Sequence, residues 1–190
     1  MDLFEAIKGR RSCRAFLSDP IEKETILKIL RAGTWAPSPL NAQPWEFVVV
    51  TNQELKERIF LEGERCKNWG LEVSGWKWLG KYRVDFLKSA PVLIVVIGDP
   101  NKTGLDLYME GGRVGYQHGC AAAIQNMHLA AHALGLGSLW YTLYDKEEIR
   151  KILDIPPDKD PLAIVVLGKP SQEPPTPPRK ELEKKVRFLS

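Results

Sequence analysis

Between Lys8 and Arg14 the chain reads Lys-Gly-Arg-Arg-Ser-Cys-Arg, four cations and a hydroxyl within seven residues. Like charges crowded in this way repel unless an anion sits among them. Guanidinium forks and hydroxyls are the side-chain groups that best match phosphate oxygens. A solvated basic turn is the other use of such a run. A second polar cluster occupies 36–50, Ala-Pro-Ser-Pro-Leu-Asn-Ala-Gln-Pro-Trp-Glu-Phe-Val-Val-Val. Its prolines stiffen the backbone and restrict the residues before them. Ser38, Asn41 and Gln43 therefore put amides and a hydroxyl on a rigid loop. There they can bond the edge of a planar polar ring or close the turn onto its own backbone.

Taken together, these segments resemble the nitroreductase family of flavoproteins. Arg10-Arg11-Ser12-Cys13-Arg14-Ala15-Phe16 matches its Arg-Arg-Ser-x-Arg-x-Phe signature, and Ala36-Pro37-Ser38 through Asn41, Gln43, Pro44 and Trp45 matches its Ala-Pro-Ser-x-x-Asn-x-Gln-Pro-Trp signature. The run from Ala123 to Ser138 is similar to the central helix of the family and the turn after it. The resemblance spans nearly the whole chain apart from about 60–90. It implies one α+β domain over 1–190, with a central mixed, mainly antiparallel sheet flanked by helices. It also implies an entwined homodimer with flavin mononucleotide (FMN) at the interface.

By the same resemblance, Arg10 and Ser12 are expected at the phosphate and ribityl chain, with Arg11 adding backbone or charge. Arg14 is expected at the pyrimidine edge, where a cation stabilises the reduced ring. Arg179, with Lys180 as its alternative, would close over the phosphate. Pro37, Ser38, Pro39, Asn41 and Gln43 would reach the flavin of the other subunit, and backbone groups of Trp140, Tyr141 and Thr142 would lie near N5 and O4. The chain departs from many relatives at Leu139-Trp140-Tyr141-Thr142, which has no glycine after the Trp. The implied activity passes electrons from NADH or NADPH through FMN to a planar acceptor such as a nitroaromatic or quinone. Dehalogenation, flavin fragmentation, enoate-type reduction and a non-catalytic flavin carrier or sensor are the alternatives on the same scaffold. No protein nucleophile is required, because the cofactor carries the chemistry.

Elements to position these groups can be read from the pattern. Leu3, Phe4 and Ile7 share one face of a short helix that Gly9 ends. A second helix opens near Ile21 and ends by Gly33. Strands are expected at about 46–51, 92–97, 138–142 and 162–167, and helices at 53–61, 112–134 and 146–153. Val92–Ile97 is apolar at every position, as in a strand covered on both faces. Gly111, Gly112, Gly115 and Gly119 form a small-residue stripe that predicts close helix packing, favouring a second copy over a helix of the same chain.

Trp69, Trp76, Trp78, Tyr82 and Phe86 crowd 66–86, read either as a substrate lid presenting Trp76 and Trp78 to the acceptor or as a small satellite core. Lys169–Pro178 holds five of the fourteen prolines, which predicts an extended strap over 169–190. His128 and His132 are spaced i, i+4 without an acidic or cysteine partner, so no metal site is expected. A net charge of +3 with mixed signs argues against a dedicated nucleic-acid binder. Three widely spaced cysteines predict a reducing cytoplasm, and no apolar run is long enough for a membrane span.

Overall fold

Val92–Ile97 and the strand expected at about 162–167 become the inner strands of a four-stranded sheet. The computed structural model describes residues 1–189. Its strands are β1 (Trp45–Val50), β2 (Val92–Gly98), β3 (Gly137–Tyr141) and β4 (Asp160–Gly168), in the order β1-β2-β4-β3. All three strand pairs are antiparallel, and one isolated parallel bridge joins Ser12 to Ser138. Alternation divides the inner strands between two cores. Leu93, Val95, Ile164 and Val166 face one layer with Ile59, Phe86, Leu87 and Ile149. Ile94, Val96, Ala163 and Val165 face the other, with Ile29, Ile124 and Met127.

The first layer is built from α3 (Gln53–Ser74), α4 (Phe86–Ser89) and α6 (Lys146–Leu153). The second is built from α2 (Lys23–Thr34) and α5 (Gly115–Ala133), with the short α1 (Leu3–Gly9) against α5. A reciprocal capping box starts α1: Asp2 accepts from the Glu5 amide and Glu5 accepts from the Asp2 amide. The carboxylate of Asp106 secures the start of α5, accepting from the Val114 and Gly115 amides at 2.9 and 2.7 Å.

Helix α3 runs thirteen residues past the expected end at Leu61, to a Gly75 cap with φ 66°. It passes over the sheet because Gly63 has no side chain. A Cβ there would stand 2.7 Å from the Tyr141 hydroxyl and 2.8 Å from Leu87. The expected lid segment therefore begins as helix and becomes irregular only after Ser74.

The glycine stripe has a different use from the one predicted. A Cβ on Gly112 would stand 1.7 Å from the Asp106 carbonyl oxygen, and one on Gly115 2.1 Å from that of Thr103. One on Gly119 would meet Pro44 and Ser38. These glycines make room for loops of their own chain, so the stripe is not evidence of a helix from a second copy. What stays uncovered is the apolar face of α1, where Leu3, Phe4 and Ile7 are all exposed, beside Trp35 at 81% exposure.

Candidate functional site

β3 is an edge strand, and the basic segment is fastened to that edge. The Cys13 amide donates to the Ser138 carbonyl at 2.9 Å, beside the Ser12–Ser138 bridge. Farther along, the Leu17 amide donates to the Lys169 carbonyl and the Ser171 amide to that of Ala15. The chain after β4 thus runs beside residues 12–17, then continues without helix or strand through 172–181. Its course brings Arg179 back to the N-terminal cations. Arg10, Arg11, Ser12, Arg14, Pro175, Pro177 and Arg179 line one cavity of about 290 Å³.

The four guanidinium groups are not equivalent. Arg11 is turned into the fold, donating to the carbonyls of Lys8 (2.6 Å) and Arg10 (2.8 Å) and to Thr176 Oγ1 (3.3 Å). It ties the end of α1 to the strap. Arg14 and Arg179 donate only to nearby backbone carbonyls, at 3.3 to 3.5 Å. Among the described residues, none of Arg10, Arg11, Arg14 and Arg179 pairs with a carboxylate. Partial burial lowers the Arg10 pKa, and the charges of Arg11 and Arg179 lower it further. A cluster that strains against its own charge, with a hydroxyl at its centre, can take a phosphate-sized anion.

The strand beyond the bridge carries the remaining polar control. Ser138 directs its carbonyl to the outer edge. By strand alternation the Trp140 amide and carbonyl point the same way, while those of Tyr141 turn toward β4. Tyr141 has a buried side chain whose hydroxyl donates to the Leu143 carbonyl, and Thr142 lies exposed past the strand end. Beneath Trp140 lies His128, with ring centroids 6.0 Å apart and planes 27° apart. His128 Nδ1 is 2.7 Å from Ser138 Oγ, and Nε2 is buried without a hydrogen-bond partner. Burial, with the nearby charge of Arg10, pushes its pKa down to about 4. The imidazole is therefore neutral at physiological pH. Sequence reading weighed His128 only as a metal ligand beside His132, and its true partner, Ser138, ten residues on, left no signal in the pattern.

Pro37, Ser38, Pro39, Asn41 and Gln43 do not join that cavity. Their loop is tightly folded, with φ of 54° at Asn41 and 46° at Gln43, and Ser38 Oγ accepts from the Gln43 amide at 2.9 Å. It packs on the N-terminal half of α5, where a Cβ on Gly119 would lie 3.2 Å from Ser38. The basic segment packs on the other end, where one on Gly9 would lie 2.5 Å from His132. Thirteen residues of helix separate these contacts, about 20 Å at 1.5 Å per residue.

The aromatic segment does approach the cavity. Arg14 lies 6.0 Å from the Tyr82 ring centroid, Tyr82 meets Trp78 edge-on at 5.6 Å, and Trp78 stacks with Trp76 at 6.1 Å. Trp76 and Trp78 are 60% and 54% exposed, whereas Leu79, Val84 and Phe86 are buried. On the inner side, Glu62 accepts from Arg65, from the Cys66 thiol and from the Asp145 amide at the start of α6. Burial raises the Glu62 pKa, but these hydrogen bonds outweigh it and the net shift is downward.

An antiparallel sheet between helical layers, with an N-terminal arginine segment on its edge strand, is the framework of a nitroreductase-like flavoprotein. Residues 7–169 match the nitroreductase family, and the chain belongs to it. A Methanothermobacter thermautotrophicus protein provisionally named NADH dehydrogenase/NAD(P)H nitroreductase is 35% identical, over 97% of this chain and 88% of its own. The 5,6-dimethylbenzimidazole synthase of Rhodospirillum rubrum is 30% identical, over 92% and 83%. A crystal structure of iodotyrosine deiodinase bound to FMN and 3-iodo-L-tyrosine superposes with a TM-score of 0.84, at 28% identity over the full length of both chains. Among the described residues, no helix is long and apolar enough to cross a membrane.

Proposed function

We propose that this chain is an FMN-dependent oxidoreductase that takes hydride from NADH or NADPH and reduces a planar acceptor such as a nitroaromatic or quinone. The supporting observation is the arginine cluster around a cavity, in which, among the described residues, no carboxylate pairs with Arg10, Arg11, Arg14 or Arg179. Bound FMN would supply the hydride chemistry at its N5. Arg10, Ser12 and Arg179 would hold the phosphate, and Arg11 would keep helix and strap together behind it. Arg14 would stabilise negative charge at the pyrimidine edge. The outward amide of Trp140 offers a hydrogen bond to the ring, with exposed Thr142 past the strand end beside it, while Tyr141, turned toward β4, only braces the strand from behind. The segment ending at Tyr82 would cover the acceptor and exclude water.

The loop from Pro37 to Gln43 acts in a homodimer. It lies about 20 Å along α5 from the cations of its own chain, so it would complete the site of the partner. The uncovered α1 face and Trp35 give such a dimer an apolar surface to bury.

A second reading, reductive dehalogenation of a phenol, draws support from the similarity to the iodotyrosine-bound deiodinase over the whole chain. One experiment tests both readings. The purified protein should carry about one FMN per chain, and anaerobic NADH or NADPH should bleach its visible absorption. Reoxidation by a nitroaromatic or quinone supports the reductase, while halide release from an iodophenol as the only productive reoxidation supports the dehalogenase. Failure to bind FMN would refute both. Bound FMN that no nicotinamide bleaches would leave a flavin carrier.

A further inference from the structure

The aromatic segment leads outward from Arg14, and the chemistry of its tip fits a long ligand. Steps of 6.0, 5.6 and 6.1 Å lead from Arg14 through Tyr82 and Trp78 to Trp76, which sets the far ring at most about 18 Å from Arg14. An extended dinucleotide reaches across any span up to that length.

The charges along this path are one-sided. Residues 75–83 read Gly-Trp-Lys-Trp-Leu-Gly-Lys-Tyr-Arg, without a carboxylate. The neighbouring cations are matched by acids: Arg65 with Glu62, Lys67 with Glu64, Arg83 with Asp85 and Lys88 with Glu57. Lys77 and Lys81 are exposed and, among the described residues, have no acidic partner. Two exposed indoles that can stack on a base, interleaved with two uncommitted ammonium groups, suit a phosphorylated adenosine. The sequence offers no glycine-rich strand-to-helix fingerprint as another holder.

We propose that Trp76, Lys77, Trp78 and Lys81 bind the 2′-phosphoadenosine end of NADPH, making it the preferred reductant. The proposal rests on the reductase reading and assigns the far end of its electron donor. The adenine stacks on the indole pair, and the two ammonium groups face the phosphates. Tyr82 and Arg14 lead inward to where the nicotinamide must lie. NADH lacks the 2′-phosphate, a group carrying nearly two negative charges at neutral pH, and so forgoes the contact that Lys77 and Lys81 provide. After the reductant leaves, the acceptor needs only the inner part of the same segment.

The test uses 2′,5′-ADP and 5′-AMP as probes, titrated calorimetrically into the purified protein with and without FMN. The expected result is at least tenfold tighter binding of 2′,5′-ADP, weakening as salt is raised. The double variant Lys77→Ala, Lys81→Ala should lose that preference, and Trp76→Ala should weaken both probes alike. Steady-state kinetics should show the double lysine variant raising KM for NADPH with little change for NADH. Equal affinity for the two probes, or an unchanged preference in the lysine variant, would overturn the proposal. The titration needs no electron transfer. Selective 2′,5′-ADP binding without flavin bleaching would therefore sink the reductase reading, and with it NADPH as reductant, while leaving the nucleotide site; bleaching without nucleotide selectivity would sink this proposal alone.

Discussion

The buried His128 should make the protein acid-sensitive in a window set by one side chain. Its pKa is lowered from 6.5 to about 4 by burial and by Arg10. The unfolded chain therefore takes up a proton between pH 6.5 and 4 that the folded chain refuses. Stability is complete above about pH 6.5 and falls as pH drops toward 4, where the loss levels off. For shifts of this size the loss is about 2 kcal/mol at pH 5, and about 3 kcal/mol once both states are protonated. His128→Asn keeps a polar atom for Ser138 Oγ but does not titrate. Urea unfolding of both proteins at several pH values isolates the effect from the carboxylates, whose contributions cancel in the difference. Wild type should lose about 2 kcal/mol relative to the variant between pH 7.5 and pH 5. A difference that stays constant across that range would show that His128 is solvated in the fold, and one that grows in favour of wild type would show it already charged; either would overturn the neutral imidazole under Trp140.

Three further outcomes follow from the geometry. Arg10→Ala should weaken FMN binding by roughly 1.5–3 kcal/mol, as expected for a charged hydrogen bond, read by fluorescence titration of the free flavin. Gly63→Ala should destabilise the fold by about 1–3 kcal/mol, because its Cβ meets the Tyr141 hydroxyl and Leu87 inside van der Waals distance. A normal melting temperature in that variant would contradict the packing described for α3. Replacing Leu3, Phe4 and Ile7 together with Ser should shift a dimer toward monomer in sedimentation, with FMN affinity falling in parallel. Full affinity in a monomer would rule out a shared site.

The strands were readable because buried β-branched runs such as Val92–Ile97 have few other uses in a chain of this size. The arginine segment was readable because its charges make little sense without an anion, although its closure by Arg179 depends on a strap path that local pattern does not specify. The end of α3 was not legible. Gly63 and Gly70 look like helix breakers, yet Gly63 is kept for the approach of Tyr141 and Leu87, residues distant in sequence. The stripe on α5 misled for the same reason: small residues announce a close neighbour but not which one. Glu62 was passed over and His128 was read only as a metal candidate because their partners, Asp145 and Ser138, come from other elements.

The placement of the basic segment on β3 also bears on solubility. An edge strand offers unpaired amides and carbonyls to any passing strand, and β3 adds a 41% exposed Trp140 to that edge. Residues 12–13 occupy part of the edge through the Ser138 carbonyl, yet they sit between arginines that repel one another. An anion held among those arginines, as proposed for the FMN phosphate, would relieve the repulsion and keep the segment docked as a guard strand. Stripping the anion would loosen the guard before the cores melt. The first sign of cofactor loss should then be chain-to-chain association along β3, visible as light scattering at temperatures where circular dichroism is still native.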